Sequence, residues 1–415
     1  MSLRLRRLLE HLTSAILLTA FALAVRASAA PKEKVLHSFS CTPDACVPQA
    51  TVVLDRNGHL YGTTSGGGTG GAGTVYEVAL GSHSSTETVI YSFTGSGGYT
   101  PYAPLIVDPA GNLFGTATSG GTHDDGTAFE LSPGSNGWTI DVLHSFDLTY
   151  HGSDGSSPWA GLVMDETGNL YGLTREGGIY GGGIAFELTP GSNGWTETIL
   201  YSFCAKFGEF CYDGSEPYFA PVLDDSGNVY GTTWAGGSDN LGTVFEISPV
   251  AGGGWKERVL HSFGGIDGAQ PYGGLVFDAA GNLYGTTQGG PTGQGTVFKL
   301  TPGPHGRWRQ TILYTFPHIQ DGVYPQGTMA RDKAGALYGI AGGGNDCGGV
   351  ACGVVYKLAP QTHGKWKYSV LYKFNGPDGI WPQGGVILDK QERHLYGATE
   401  SGGAYGYGVV FEITP

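Results

Sequence analysis

Two sets of positions in this 415-residue chain have residue types that could do chemistry at a surface. The first lies three residues after a recurring Leu-Tyr-Gly glycine and holds Ser65, Thr118, Arg175, Trp234, Gln288, Gly342 and Glu400. Its character changes from copy to copy, so no structural demand dictates it. Arg175, Trp234 and Glu400 would bring a cation, a ring and a carboxylate to one rim. The second set surrounds the prolines Pro48, Pro101, Pro158, Pro217, Pro271, Pro325 and Pro382. Tyr102, Trp159, Tyr218 and Tyr272 follow their proline, whereas Tyr324 and Trp381 precede theirs. Gln49, Gln326 and Gln383 fill the following position in the remaining copies. Flat rings beside planar hydrogen-bonding groups suit sugars, which offer an apolar C–H face and a polar edge.

Candidates for catalysis are fewer. Glu216, His151, Asp154 and Arg331 break the pattern of their own copies, and Arg331 stands where the others carry leucine, valine, methionine or phenylalanine. A charge in such a place needs a partner or water. His37, His144 and His261 share their position with Tyr91, Tyr201, Tyr314 and Tyr372, an exchange that a general base would not tolerate. Serine-nucleophile elbows, zinc-protease helices, phosphate-cradling loops and EF-hand loops are all absent from the sequence. The cysteines form three close pairs, Cys41 with Cys46, Cys204 with Cys211 and Cys347 with Cys352, and no histidine accompanies any pair. They read as loop-pinning disulfides, and neither a metal nor a cofactor is expected.

These positions must be held by a repeated element. The Leu-Tyr-Gly phrase recurs around Gly62, Gly115, Gly172, Gly231, Gly285, Gly339 and Gly397, about 56 residues apart on average. Residues 273–316 hold four short β-type runs closed by glycine, proline or asparagine, here named strands a to d: 275–278, 282–287, 295–301 and 309–316. An Asp-x-x-Gly-Asn turn joins a to b, so Asp55, Asp108, Asp165, Asp224, Asp278, Asp332 and Asp389 are expected to cap turns. Aromatics recur on strands b and c, and Trp138, Trp195, Trp255, Trp308 and Trp366 open strand d; all are expected to pack neighbouring units together. Seven four-stranded units without helical periodicity predict an all-β, seven-bladed β-propeller spanning residues 35–415. The segment 35–39 is a lone strand d and the chain stops after a strand c, so the N-terminal strand is expected to join the last blade and close the ring. The 74 glycines are then corners of this fold, not collagen and not disorder, because aromatics make up 12% of the chain.

Residues 1–29 carry Arg4, Arg6 and Arg7, an apolar run from 12 to 25 and a small-residue tail, the pattern of a secretory signal peptide. No later segment is long and apolar enough to span a bilayer as a helix. The net charge of −14 argues against nucleic acid as a partner. A secreted or periplasmic monomer is expected.

The phrase GNLYGTT, then a glycine pair, then GTVFELTP or a close variant resembles the GloVer tandem repeat of bacterial "choice-of-anchor" proteins. The likeness runs from residue 35 to 415, departing at residues 391–394 of the seventh copy and at the Gly-Ala of the sixth. It implies an exported bacterial protein and transfers no catalytic residue. The strand order also looks like other NHL-like propellers. Three readings follow: a non-enzymatic module binding a glycan or other extracellular ligand at the aromatic rim, a lyase or hydrolase working at the channel mouth, and a structural adhesion module.

Overall fold

The computed structural model describes residues 31–81, 84–148, 152–206, 210–349 and 351–415. The expected signal peptide and His151 lie outside the described residues. Among the described residues the chain is all β, apart from three short 3₁₀ turns at Pro304–Gly306, Ile319–Asp321 and Thr362–Gly364.

One unit shows how the grammar folds. Strands Val276–Phe277, Leu283–Thr287, Thr296–Pro302 and Trp308–Thr315 pair in chain order as an antiparallel sheet, within a residue or two of the expected runs. The a-to-b turn works as the sequence requires. Asp278 Oδ1 accepts the backbone N–H groups of Ala280 and Asn282, each at 2.9 Å. The Tyr284 hydroxyl donates to the other oxygen at 2.9 Å, which accounts for tyrosine in the repeated phrase. Asp108 is the fullest example, accepting from the backbone of Ala110, Gly111 and Asn112 and from the Asn112 side chain. One carboxylate that satisfies several turn donors at once is a structural group, and the recurring aspartates are read as such.

Glycine of the repeated phrase is required by packing. A Cβ on Gly285 would lie 2.6 Å from Phe298 Cζ, and one on Gly172 would lie 2.3 Å from Phe186 Cζ. The strand c aromatic therefore crosses directly over strand b. Its outer edge meets the phenylalanine that ends strand d of the preceding unit, in an edge-to-face pair that recurs from junction to junction. Phe93 meets Phe129 at 5.3 Å, Phe146 meets Phe186 at 5.2 Å, and Phe374 meets Phe411 at 5.1 Å. Each such pair contributes about 0.5–1.5 kcal/mol beyond burial. Buried side chains form clusters, each shared by two units. One of them joins Leu60 and Tyr76 near the start of the chain to Tyr396 and Val410 near its end.

The sheets stand in a propeller-like arrangement. Five are separate four-stranded sheets. The last two units differ from expectation, because they merge into one eight-stranded sheet through a single parallel pair, Thr328 with Gly385. Glycine explains the merger. A Cβ on Gly327 would lie 2.5 Å from the Gly384 backbone, so only bare backbone lets these two strands a approach so closely. Lys32–Ser38 pairs antiparallel with Val409–Thr414 as the outer strand of that sheet, the pairing expected of the lone N-terminal strand. The three disulfides, Cys41–Cys46, Cys204–Cys211 and Cys347–Cys352, are formed as expected.

Candidate functional site

The approach to strand a is built the same way in all seven units. The residue before each proline takes a left-handed backbone, with φ from 51° to 62° at Val47, Thr100, Ser157, Glu216, Gln270, Tyr324 and Trp381. None is glycine, so each carries strain of about 1–3 kcal/mol that its surroundings must offset. Two backbone hydrogen bonds do so. Its N–H donates to the b-to-c loop of the preceding unit, as Glu216 N does to Gly182 O at 3.0 Å, and its C=O accepts from the top of its own strand b, as Glu216 O does from Trp234 N at 3.0 Å. The two sets of positions singled out in the sequence are therefore backbone-paired neighbours.

This backbone sends the residues on either side of proline to different places. Tyr102, Trp159, Tyr218 and Tyr272, which follow it, converge on one cavity together with Gln49 and Gln383. The cavity holds about 620 Å³ of empty space, part of it open to solvent. Tyr102 and Trp159 stack with centroids 4.4 Å apart and planes 11° from parallel. Trp159 meets Tyr218 edge-on at 5.7 Å, and Tyr218 meets Tyr272 at 5.2 Å. Tyr324 and Trp381, which precede their prolines, do not line this cavity and are 49% and 42% exposed.

The second set surrounds these rings. The Arg175 guanidinium lies 5.3 Å from the Tyr218 centroid and 5.9 Å from that of Trp159, a cation–π arrangement. It is also 3.4 Å from Glu216 Oε2, which accepts from the Tyr218 hydroxyl at 3.3 Å. Trp234 reaches Tyr218 edge-on at 6.4 Å. On the opposite side Glu400 accepts a hydrogen bond from Gln383. Burial raises the Glu400 carboxyl, and its bonds to Gln49 and Gln383 counter that rise. Burial also raises the tyrosines, Tyr218 to about 12, with Arg175 opposing and Glu216 reinforcing. Tyr102 and Tyr272 shift the same way, both after burial through the charge of Glu400. All three hydroxyls thus stay protonated at neutral pH as donors, and none is a ready base.

The catalytic candidates do not assemble. Glu216 precedes its strand a on the side of the rings. Arg331 ends its own strand a, beside Gly335 of the following turn, and its charge acts on Tyr284 at that opposite end. Asp154 turns away to His144, at 3.2 Å. Sequence reasoning missed the feature to which this last contact belongs: in five units the strand d ring, histidine or tyrosine, is held by an aspartate of the next loop, as Tyr201 is by Asp213 and Tyr372 by Asp378. The signal was there but irregular, because Asp44 follows His37 by seven residues and Asp154 follows His144 by ten.

The fold and the mouth together define an all-β, propeller-like repeat protein whose rim gathers aromatic rings and amides. The chain belongs to the Gloeobacter/Verrucomicrobia repeat family, whose model matches residues 19–212, 144–351 and 305–415. No curated protein sequence matches it. Among solved structures, an ulvan lyase of a new polysaccharide lyase family, PL25, is similar in fold, with a TM-score of 0.56 and 8% identity over 91% of this chain and 95% of that one. A protein of unknown function from Dyadobacter fermentans DSM 18053 matches with a TM-score of 0.44 and 11% identity, over 93% of this chain and 99% of that one.

Proposed function

We infer that this chain is an exported recognition module, a seven-bladed propeller closed into a ring, that binds a glycan at the aromatic mouth. Closure is supported by contacts that continue the repeat from the last unit to the first. Phe39 meets Tyr76 edge-on at 5.0 Å as the other junction pairs do, and Val47 N donates to Tyr407 O at 3.0 Å as its equivalents donate to their preceding loops. Export is supported by the signal-like sequence of residues 1–29 and by three disulfides. Among the described residues no helix is long and apolar enough to cross a membrane.

The observation that carries the binding reading is the convergence of four rings from four successive units with two amides on one cavity. Rings supply a wall for the C–H face of a sugar, while Gln49, Gln383 and the protonated tyrosine hydroxyls supply directed hydrogen bonds to its rim. Arg175 and Glu216 add a cation and a carboxylate at one edge. The resemblance to an ulvan lyase is one of fold, and the scattered positions of Glu216 and Arg331 favour binding over turnover.

Titration against a panel of neutral and uronic-acid oligosaccharides, followed by tryptophan fluorescence, tests the reading. Wild type should bind at least one class, and Trp159→Ala should weaken that binding about tenfold, the equivalent of about 1.4 kcal/mol. Trp381→Ala should leave it unchanged. Binding that survives Trp159→Ala sinks the site, and shortened products in the mixture replace recognition with catalysis.

A further inference from the structure

The contact between a strand d ring and a loop aspartate leads to a second feature on the sheet edges, away from the aromatic mouth. In four places a glutamate from strand d of the next unit stands beside that aspartate: Glu87 by Asp44, Glu197 by Asp154, Glu257 by Asp213 and Glu33 by Asp378. Two carboxylates held together in a half-buried place repel unless a proton or a cation stands with them. At Glu257 the chain supplies the cation, as Lys206 Nζ forms an ion pair with it. At Glu33 a proton serves, because burial and the charge of Asp378 push its carboxyl up to about 7. In the two remaining places the third group is a histidine, and burial raises the glutamates there as well, Glu87 to about 8 and Glu197 to about 7, so a cation would take the place of a proton.

We propose that His37, Asp44 and Glu87, and equally His144, Asp154 and Glu197, are two equivalent sites for a first-row divalent cation of the zinc type, each clamping adjacent repeat units. Within each set the three ligand atoms lie within 4.8 Å of one another. His37 Nε2 is 3.4 Å from Asp44 and 4.0 Å from Glu87, and His144 Nε2 is 3.2 Å from Asp154 and 3.7 Å from Glu197. Ligands about 2.0–2.1 Å from a tetrahedral zinc stand about 3.4 Å apart, so the histidine contacts to Glu87 and Glu197 must shorten by about 0.6 and about 0.3 Å. Donor chemistry agrees, since one imidazole and two carboxylates suit zinc better than the all-oxygen preference of calcium or magnesium, and two carboxylates balance the charge.

A second observation points to a missing partner at Glu87. Its side chain is only 9% exposed, and its Oε1 is buried with nothing bonded to it; Oε1 of Glu197, on a side chain 14% exposed, is likewise unbonded, as are those of Glu33 and Glu257. The aspartates, by contrast, are already oriented by backbone donors, as outer-shell groups orient metal ligands. Ser40 N and Ala45 N hold Asp44 at 2.8 and 2.7 Å, and Asp147 N and Gly155 N hold Asp154 at 2.9 and 2.6 Å. His261 with Asp267 provides an internal control. Gln310 takes the place of the glutamate there and donates to the Asp267 carbonyl at 2.9 Å, so that place lacks the third ligand.

Calorimetric titration of the chelator-treated protein with zinc chloride tests the proposal. Two zinc ions per chain are expected, with a rise in the unfolding midpoint that chelator reverses. His37→Tyr and His144→Tyr should each remove one ion and together both, and they should fold, because tyrosine holds this position at Tyr91, Tyr201, Tyr314 and Tyr372. Glu87→Gln with Glu197→Gln, which copies the glutamine of the Gln310 place, gives the same loss by an independent route, while His261→Tyr changes nothing. Fewer than two ions in wild type, or two that survive these paired substitutions, overturns it.

Discussion

Replacing Gly172 with alanine probes the crossing on which every unit is built. The added Cβ would sit 2.3 Å from Phe186 Cζ and 2.9 Å from Leu162 Cδ2, and Phe186 is fully buried. Either the ring leaves its rotamer or strand b shifts, and overpacking of this kind costs about 1–3 kcal/mol. With an unfolding entropy of about 2.1 cal/mol/K per residue, a chain of this length should lose only about 1–4 °C in Tm, so urea denaturation followed by circular dichroism is the better assay. Phe186→Leu makes room for the new methyl group and by itself destabilises on the order of 1 kcal/mol. The double variant should therefore be more stable than the sum of the two changes implies, by at least about 0.5 kcal/mol. A Gly172→Ala protein as stable as wild type, or a strictly additive cycle, refutes the idea that the recurring glycine exists to let the strand c ring cross.

Two further outcomes follow from single groups. Because the folded state raises the Glu33 carboxyl to about 7, the stability it contributes is complete below about pH 4.5 and is lost as pH rises through 7; Glu33→Gln should shrink the fall in urea midpoint between pH 5 and 8, and an unchanged fall contradicts the assignment. Asp108→Ala strips three backbone N–H groups and Asn112 of their acceptor and should lower stability by about 1–2 kcal/mol in the same urea assay, whereas a loss under about 0.3 kcal/mol argues that water replaces the carboxylate without penalty.

Much of the architecture was legible because each unit repeats its punctuation. Asp-x-x-Gly-Asn announces a turn from a handful of residues, and strand limits in residues 273–316 came out within two positions. The division of the rim aromatics was not legible. Proline placement marks the approach to strand a, but only the left-handed backbone before it separates Tyr324 and Trp381 from the four rings at the cavity. The merger of the last two sheets depends on Gly327, Gly384 and Gly385 meeting across units, a juxtaposition that no local pattern encodes. The Asp44 and Asp154 contacts were hidden for another reason. Their loops differ in length, so residues equivalent in space are not equivalent in spacing.

The proposed binding site lies among Tyr102, Trp159, Tyr218 and Tyr272. A crystal structure of the protein soaked with the tightest oligosaccharide of the panel tests it most directly. A sugar ring is expected against these aromatics, within hydrogen-bonding distance of Gln49 or Gln383. A sugar bound instead at Tyr324, at Trp381 or on the opposite face beside Arg331 would contradict it.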